Sequence, residues 1–119
     1  MRGAPRFDEP TRVVRVDPAD GLTSAFRDTP VLARLSRPAD PASLNAETVW
    51  VEGPTSRVAG RLRLSPDGRV VIWQAKRLLE PGVEHRLILA GLLDRRGHEV
   101  TPHRSVFATC TLAWAELAT

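Results

Sequence analysis

Proline and glycine interrupt this chain so often that it has little room for long helices. Ten prolines and eight glycines are distributed at short intervals along the 119 residues. The segments between them suit β-strands of about five to eight residues. A parallel α/β fold needs crossover connections of roughly a dozen residues or more, usually helical, and no segment offers one. The spacing therefore predicts an all-β domain.

Short apolar, β-branched and aromatic runs lie between these interruptions, and several of them alternate apolar with polar residues. The predicted strands cover residues 13–16, 30–36, 48–52, 57–65, 70–73, 85–90 and 105–110. About seven short strands with regularly spaced turns are typical of an immunoglobulin-like Greek-key β-sandwich, in which two sheets share their inward faces as the core.

Two connections have a specific turn chemistry. Asp67-Gly68 tolerates the positive φ that a tight hairpin requires, so we expect a hairpin that joins segment 57–65 to segment 70–73. Asp40 followed by Pro41 offers an N-cap and a proline at the first helical position. This pair predicts one short helical turn near 41–45, with Leu44 directed inward.

The length suits one domain, because two independent cores would leave each half too small to be stable. We expect an N-terminal extension at 1–11, the Ig-like sandwich at 12–110 and an apolar C-terminal tail at 111–119. No run is long enough for a membrane span, and no apolar region follows the basic start as it would in a signal peptide. The chain as written is thus expected to be cytoplasmic, or extracellular if it is a fragment of a larger exported protein.

Several motifs occur in an order that is similar to a known family. They are the segment 30–44 (PVLARLSRPADPASL), Asp67-Gly68-Arg69, Leu79-Glu80-Pro81-Gly82, Asp94-Arg95-Arg96-Gly97 and Phe107-Ala108-Thr109. Together they resemble the bacterial Ig-like domain typified by S-layer proteins, over roughly residues 13 to 109. The resemblance implies the sandwich fold and roles as a spacer, a surface module or an assembly part, without naming one activity.

His85 departs from that family pattern, because a tyrosine usually begins the strand after the Pro-Gly turn. A tyrosine there could act like the corner tyrosine of Ig-like sandwiches, whose hydroxyl bonds back to the main chain. We expect His85 to be a semi-buried structural residue that is bonded to a loop carbonyl, rather than a pH switch.

No pattern in the sequence predicts an enzyme, a cofactor or a metal site. His98 and His103 lie near Asp94 and Glu99, but this group does not complete the ligand set of a zinc site. The single cysteine, Cys110, has no internal disulfide partner and is expected to be a small buried thiol. A nucleophile elbow and a glycine-rich phosphate loop are both missing from the sequence. We therefore expect no catalysis, no cofactor, no metal and no small-molecule substrate.

Nucleic-acid binding is a rival hypothesis, because all but Lys76 of the 17 basic residues are arginine. Arginine pairs well with phosphate. However, the net charge is only +3, and the chain has no tyrosine and few aromatic residues for base stacking. The arginines that could share an outer surface are Arg57, Arg61, Arg63, Arg86, Arg95 and Arg96.

The strand alternation leaves bulky apolar residues on the outside of the predicted sandwich. We expect Leu32, Val70 and Ile72 to face outward on one sheet, and Trp50 and Ile88 on the other. Neighbouring apolar residues on a sheet face are often covered by a partner. A register slip of one residue is the alternative, because it would bury all of them.

The C-terminal tail is a second candidate for docking. Leu112, Trp114 and Leu117 could anchor it either on this domain or in a partner. The sequence thus predicts a non-enzymatic protein-binding or structural module, an accessory subunit of a larger assembly. A cell-surface or secreted spacer or adhesion domain is the alternative, and arginine-mediated nucleic-acid binding is the second alternative.

Overall fold

A computed structural model describes residues 9–111, which form two β-sheets packed face to face. The four-stranded sheet has the order β1-β3-β7-β6, and the five-stranded sheet has the order β2-β9-β8-β4-β5. All described pairings are antiparallel except that of β2 with β9. The strands are β1 Val13–Asp17, β2 Leu22–Ala25, β3 Val31–Leu35, β4 Val49–Glu52, β5 Arg57–Val58, β6 Gly60–Leu64, β7 Val70–Ala75, β8 Glu84–Leu89 and β9 His103–Thr109.

The predicted fold class, an all-β immunoglobulin-like sandwich, is confirmed. The strand count differs from the prediction at two places. Segment 57–65 forms two strands in different sheets, because the chain crosses between the sheets at Ala59. Strand β2 was not predicted, because its residues are mostly exposed and do not alternate.

The core lies between the sheets and comes from alternate residues of the central strands. In β3 and β7 the burial alternates, with Val31, Ala33, Val71 and Trp73 between 1% and 3% exposed. Val31 pairs with Trp73 and Ala33 with Val71, so their side chains share the inward face. The predicted register of these strands is therefore correct, and the alternative of a one-residue slip is wrong.

Both predicted turns form with the expected chemistry. Gly68 has a φ of 76°, and the Ser65 and Val70 main chains bond at 2.9 Å to close the hairpin. One 3₁₀ turn covers Pro41–Ser43, and the Asp40 side chain caps it by accepting from the Ala42 amide at 3.1 Å.

In residues 9–111, no helix is long and apolar enough to cross a membrane.

Gly60 allows the close contact that follows the crossing at Ala59. A Cβ atom at this position would overlap the indole ring of Trp73, so the ring packs directly against the backbone. Trp73 itself is 3% exposed and belongs to the core. A glycine is needed here because of this contact and not because of a positive φ.

Candidate functional site

Three predicted partner-binding residues meet on the outer face of the four-stranded sheet. Leu32 in β3 pairs directly with Ile72 in β7, and Val70 lies two residues from Ile72 on the same face. Each of the three side chains is half-buried. The residues next to them in the two strands, Val31, Ala33, Val71 and Trp73, are buried. The structure thus places Leu32, Val70 and Ile72 together on an outward surface, as predicted.

Arginine side chains surround this apolar group. Arg15 pairs with Arg34, Arg63 with Ile72 and Arg61 with Gln74, so four arginines occupy the same face. All four are exposed, and none of them makes an ion pair within residues 9–111. We call this surface the arginine-framed face: Leu32, Val70 and Ile72 with Arg15, Arg34, Arg61 and Arg63.

A β-bulge creates the contact between the first two arginines. Val13 pairs with Leu35 but Arg15 pairs with Arg34, so Val14 is the extra residue in β1. A bulge of this kind changes the side of the sheet on which the next side chain lies. Here it places Arg15 outward, directly opposite Arg34.

A hollow of about 230 Å³ lies within the arginine-framed face. Its walls include Arg15 and Arg34, and Leu32 and Val70 contribute apolar surface. Asp17 also lines it, in register with Leu32. A second carboxylate, Asp67, belongs to the hairpin beyond Arg34. Hydrogen bonds from Ser65 and Arg69 lower the pKa of Asp67, with a smaller contribution from Arg34.

The outer face of the five-stranded sheet has a different character, because Arg57 and Arg86 on it have partners, although Arg104 beside Ile88 makes no ion pair within residues 9–111. Arg86 lies 4.0 Å from Glu52 and 3.9 Å from Glu84. The guanidinium of Arg57 stacks over Trp50 at 3.9 Å, and Trp50 Nε1 donates to Glu52 at 3.0 Å. Trp50 pairs with Ile88, so the two predicted residues of this sheet are also neighbours. One face of the Trp50 ring is already covered by Arg57.

The six arginines proposed for one phosphate-binding surface do not share one. Arg61 and Arg63 lie on the four-stranded sheet, whereas Arg57 and Arg86 lie on the five-stranded sheet. Arg95 and Arg96 belong to the connection between β8 and β9. That grouping was wrong, because the crossing at Ala59 sends Arg57 and Arg61 to opposite sides of the sandwich.

The predicted partner-binding residues of the C-terminal tail, Leu112, Trp114 and Leu117, lie outside the described residues.

Asp94 begins a turn that Gly97 closes, since the Gly97 amide donates to the Asp94 carbonyl at 3.0 Å. Its carboxylate is 1% exposed and accepts hydrogen bonds from the Thr11 hydroxyl at 2.7 Å, the Arg96 side chain at 2.9 Å and the His98 amide at 3.0 Å. Burial raises the pKa of Asp94, but these hydrogen bonds outweigh it and hold the pKa well below its ordinary value. Within residues 9–111, no group of three or more His, Cys, Asp or Glu side chains is arranged to bind a metal ion.

His85 is bonded to a loop carbonyl, as predicted, but it is more deeply buried than predicted. Its Nδ1 lies 3.1 Å from the Val83 carbonyl oxygen, and its ring stacks on Phe107 with centroids 5.5 Å apart. Only 1% of the residue is exposed. Burial lowers the pKa of His85, although the Val83 hydrogen bond and Glu80 oppose this effect. The ring therefore belongs to the core.

Comparisons with known proteins show similarity at the level of fold. No protein-family model and no curated protein matches the chain. Among solved structures, the S-layer protein rSbsC(31-844) is 17% identical with a TM-score of 0.66, over 88% of this chain and 14% of that protein. CopC from Methylosinus trichosporium OB3b is 17% identical with a TM-score of 0.69, over 84% of this chain and 93% of CopC.

A third similar structure belongs to a larger protein. An L,D-transpeptidase from Mycobacterium smegmatis is 20% identical with a TM-score of 0.60, over 86% of this chain and 41% of that protein. The chain therefore spans only a part of the S-layer protein and of the transpeptidase. Their diverse names agree with a β-sandwich fold that serves many proteins. The S-layer similarity supports the family resemblance as far as the fold.

Proposed function

We propose that this chain is a non-enzymatic β-sandwich module that binds another protein through the arginine-framed face. One observation carries the proposal: Leu32, Val70 and Ile72 form a continuous apolar centre that is bordered by exposed arginines. A protein interface commonly has an apolar centre and a polar rim, and arginine is enriched there. The other sheet face is less suited to docking, because Arg57 and Arg86 on it already contact Trp50 and two glutamates.

Two buried titratable groups with lowered pKa values, Asp94 and His85, support a role without catalysis. The Asp94 carboxylate is occupied by Thr11, Arg96 and His98, and all three are donors that hold it ionised. The His85 ring packs against Phe107 in the core. An acid or base catalyst must reach a proton of the substrate, and both groups are turned toward their structural partners.

An accessory subunit of a larger assembly is the wider role that we propose. A spacer between domains of a cell-surface or secreted protein is the second candidate, and the positions at which residues 9–111 enter and leave the sandwich favour it. The Thr101 amide, two residues before β9 begins, donates to the Thr11 carbonyl, whereas Cys110 follows the far end of β9. A chain that enters at one end of a sandwich and leaves at the other suits a linear array of domains.

Photo-crosslinking at two matched isoleucines tests the proposed interface. Ile72 and Ile88 are both half-buried, and each lies in an interior strand on the outer face of its sheet. A photo-reactive residue at position 72 should form one protein adduct of defined mass in the native host, and the same residue at position 88 should not. Circular dichroism confirms that both variants are folded.

The other outcomes have definite meanings. Equal adducts from both positions, or none from position 72, would contradict the proposal. An adduct that nuclease removes and protease does not would assign the face to nucleic acid. Truncation after Thr111 separates the tail from the face, because an adduct that survives truncation does not depend on Leu112, Trp114 or Leu117.

A further inference from the structure

We infer that the partner of the arginine-framed face is an acidic protein segment with aliphatic residues between its carboxylates. This inference rests on the proposed function and adds the chemistry of the partner. Its carboxylates would pair with Arg15 and Arg34 on one side of the face and with Arg63 on the other. Its aliphatic side chains would cover Leu32 and Ile72.

Uncompensated charge is the first reason. Arg15 and Arg34 are direct cross-strand partners, and like charges in that position repel each other. Asp17 is the only carboxylate that the four strands of this sheet carry. Asp67 lies on the adjoining hairpin, where Ser65 and the Arg69 amide already hydrogen-bond to it. An acidic partner would relieve the repulsion and gain charge-assisted hydrogen bonds.

The order of residues across the sheet is the second reason. One row across the strands runs Asp17, Leu32, Ile72 and Arg63, and the next row runs Arg15, Arg34 and Val70. The β1 edge therefore carries Arg15 with Asp17 beside it, the β6 edge carries Arg63, and Leu32 and Ile72 lie between these edges. Adjacent strands are about 4.8 Å apart, so these side chains span roughly 15 Å. That distance suits a short peptide segment with acidic residues at both ends.

The apolar centre favours a protein over nucleic acid. A phosphate backbone could pair with the arginines, but it would leave Leu32 and Ile72 without apolar contacts. Single-stranded nucleic acid is usually bound with aromatic side chains for stacking. Trp73 of this sheet is buried in the core, and Trp50 lies on the other sheet.

The same charges argue against a second copy of this chain. A two-fold symmetric dimer would bring the arginine-framed face against itself. Arginines would then approach arginines, and Asp17 alone would be available to compensate them. The acidic segment thus fits the face better than self-association does.

Fluorescence anisotropy with a designed peptide tests this inference on the full chain. The probe is a labelled peptide with a central Leu-Val-Leu flanked by glutamates, and its control has lysine at each glutamate. We expect the acidic peptide to bind and the lysine peptide not to bind. Arg34→Gln should weaken binding about tenfold, which is the size of one charge-assisted hydrogen bond. Leu32→Ser should weaken it as well.

Arg104→Gln provides the matched control. Arg104 is exposed in β9 of the other sheet and makes no ion pair within the described residues. It should leave the affinity within about twofold, because Arg104 lies on the opposite side of the sandwich from Arg34. Added salt should reduce binding by screening the exposed charges.

Three results would overturn the inference. They are equal binding of the two peptides, equal effects of Arg34→Gln and Arg104→Gln, and tight binding of a single-stranded oligonucleotide that depends on Arg34 but not on Leu32. The failure of the proposed function is distinguishable from these results. A protein adduct at position 72 that forms equally well in the Arg34→Gln variant would support the interface and contradict the acidic partner. The absence of that adduct would reject the interface itself.

Discussion

The hydroxyl of Thr11 donates a hydrogen bond of 2.7 Å to the carboxylate of Asp94, which lies 83 positions further along the chain. Both residues are buried, with Thr11 at 0% and Asp94 at 1% exposure. The Thr101 amide also donates to the Thr11 carbonyl at 2.8 Å. These contacts tie the residues before β1 to the connection between β8 and β9.

Replacing Asp94 should destabilise the domain substantially. In Asp94→Asn the side chain keeps one acceptor oxygen and gains an amide group that faces donors, so buried hydrogen bonds are lost. We expect the free energy of unfolding to fall by about 2 to 4 kcal/mol, measured by urea denaturation. Asp28→Asn is the control, because Asp28 is exposed. A loss no larger than that of the control would show that the Asp94 contacts contribute little.

The same carboxylate should make the domain sensitive to acid. The pKa of Asp94 is lower in the folded chain than in the unfolded chain, where it is about 4. Its contribution is therefore complete above about pH 4 and is lost as the pH falls toward the folded pKa. Denaturation curves across this range should show a steeper loss of stability in the natural chain than in Asp94→Asn. Parallel losses in the two proteins would contradict this assignment.

His85 should cause a second loss of stability at mildly acidic pH. Burial lowers the pKa of His85 in the folded chain, and it also lowers the pKa of His103. The unfolded chain therefore takes up protons first, so stability is complete above about pH 6.5 and falls below it. His85→Tyr should remain folded, because a groove of about 160 Å³ lies beside the ring for the added hydroxyl.

The His85 prediction is checked by urea denaturation between about pH 5 and pH 8. His85→Tyr should reduce the pH dependence and leave the part that His103 contributes. His98→Gln is the control, because the side chain of His98 is exposed, whereas that of His85 is buried. An unchanged slope in His85→Tyr would exclude His85 as the source.

Two glycines offer a matched test of the packing at Trp73. In Gly60→Ala the new Cβ would overlap the indole ring, and we expect a loss of about 1 to 3 kcal/mol from overpacking. In Gly53→Ala the nearest atoms lie at 3.6 Å, which is an ordinary contact. Gly53→Ala should therefore change the stability by less than about 1 kcal/mol. Similar thermal or urea midpoints for the two variants would refute the close contact at Gly60.

The strand pattern and the turns were predictable because their causes are local. The alternation in β3 and β7 decides which side chains are buried, and a single shift would expose the whole core face. Asp67-Gly68 and Asp40-Pro41 determine their turns through their own φ preferences and side-chain hydrogen bonds. The outward position of Leu32, Val70 and Ile72 follows from the same alternation.

Strand β2 and the break at Ala59 were not predictable from such patterns. β2 is recognised by its pairing with β9, and residues distant in sequence provide that pairing. Residues 57–65 read as one continuous run, but Val58 pairs with Val51 while Leu62 pairs with Trp73. Only the positions of those two partners show that the run is divided between the sheets.

The arginines show most clearly what the sequence determines and what the tertiary structure determines. The sequence by itself determined that arginine supplies nearly all the positive charge and that Leu32, Val70 and Ile72 lie outside the core. The tertiary structure decided which arginines surround them, because the order β1-β3-β7-β6 and the bulge after Val13 bring Arg15 beside Arg34. Side-chain alternation is a property of each strand, whereas strand order depends on contacts between distant segments, so only the folded chain creates the arginine-framed face.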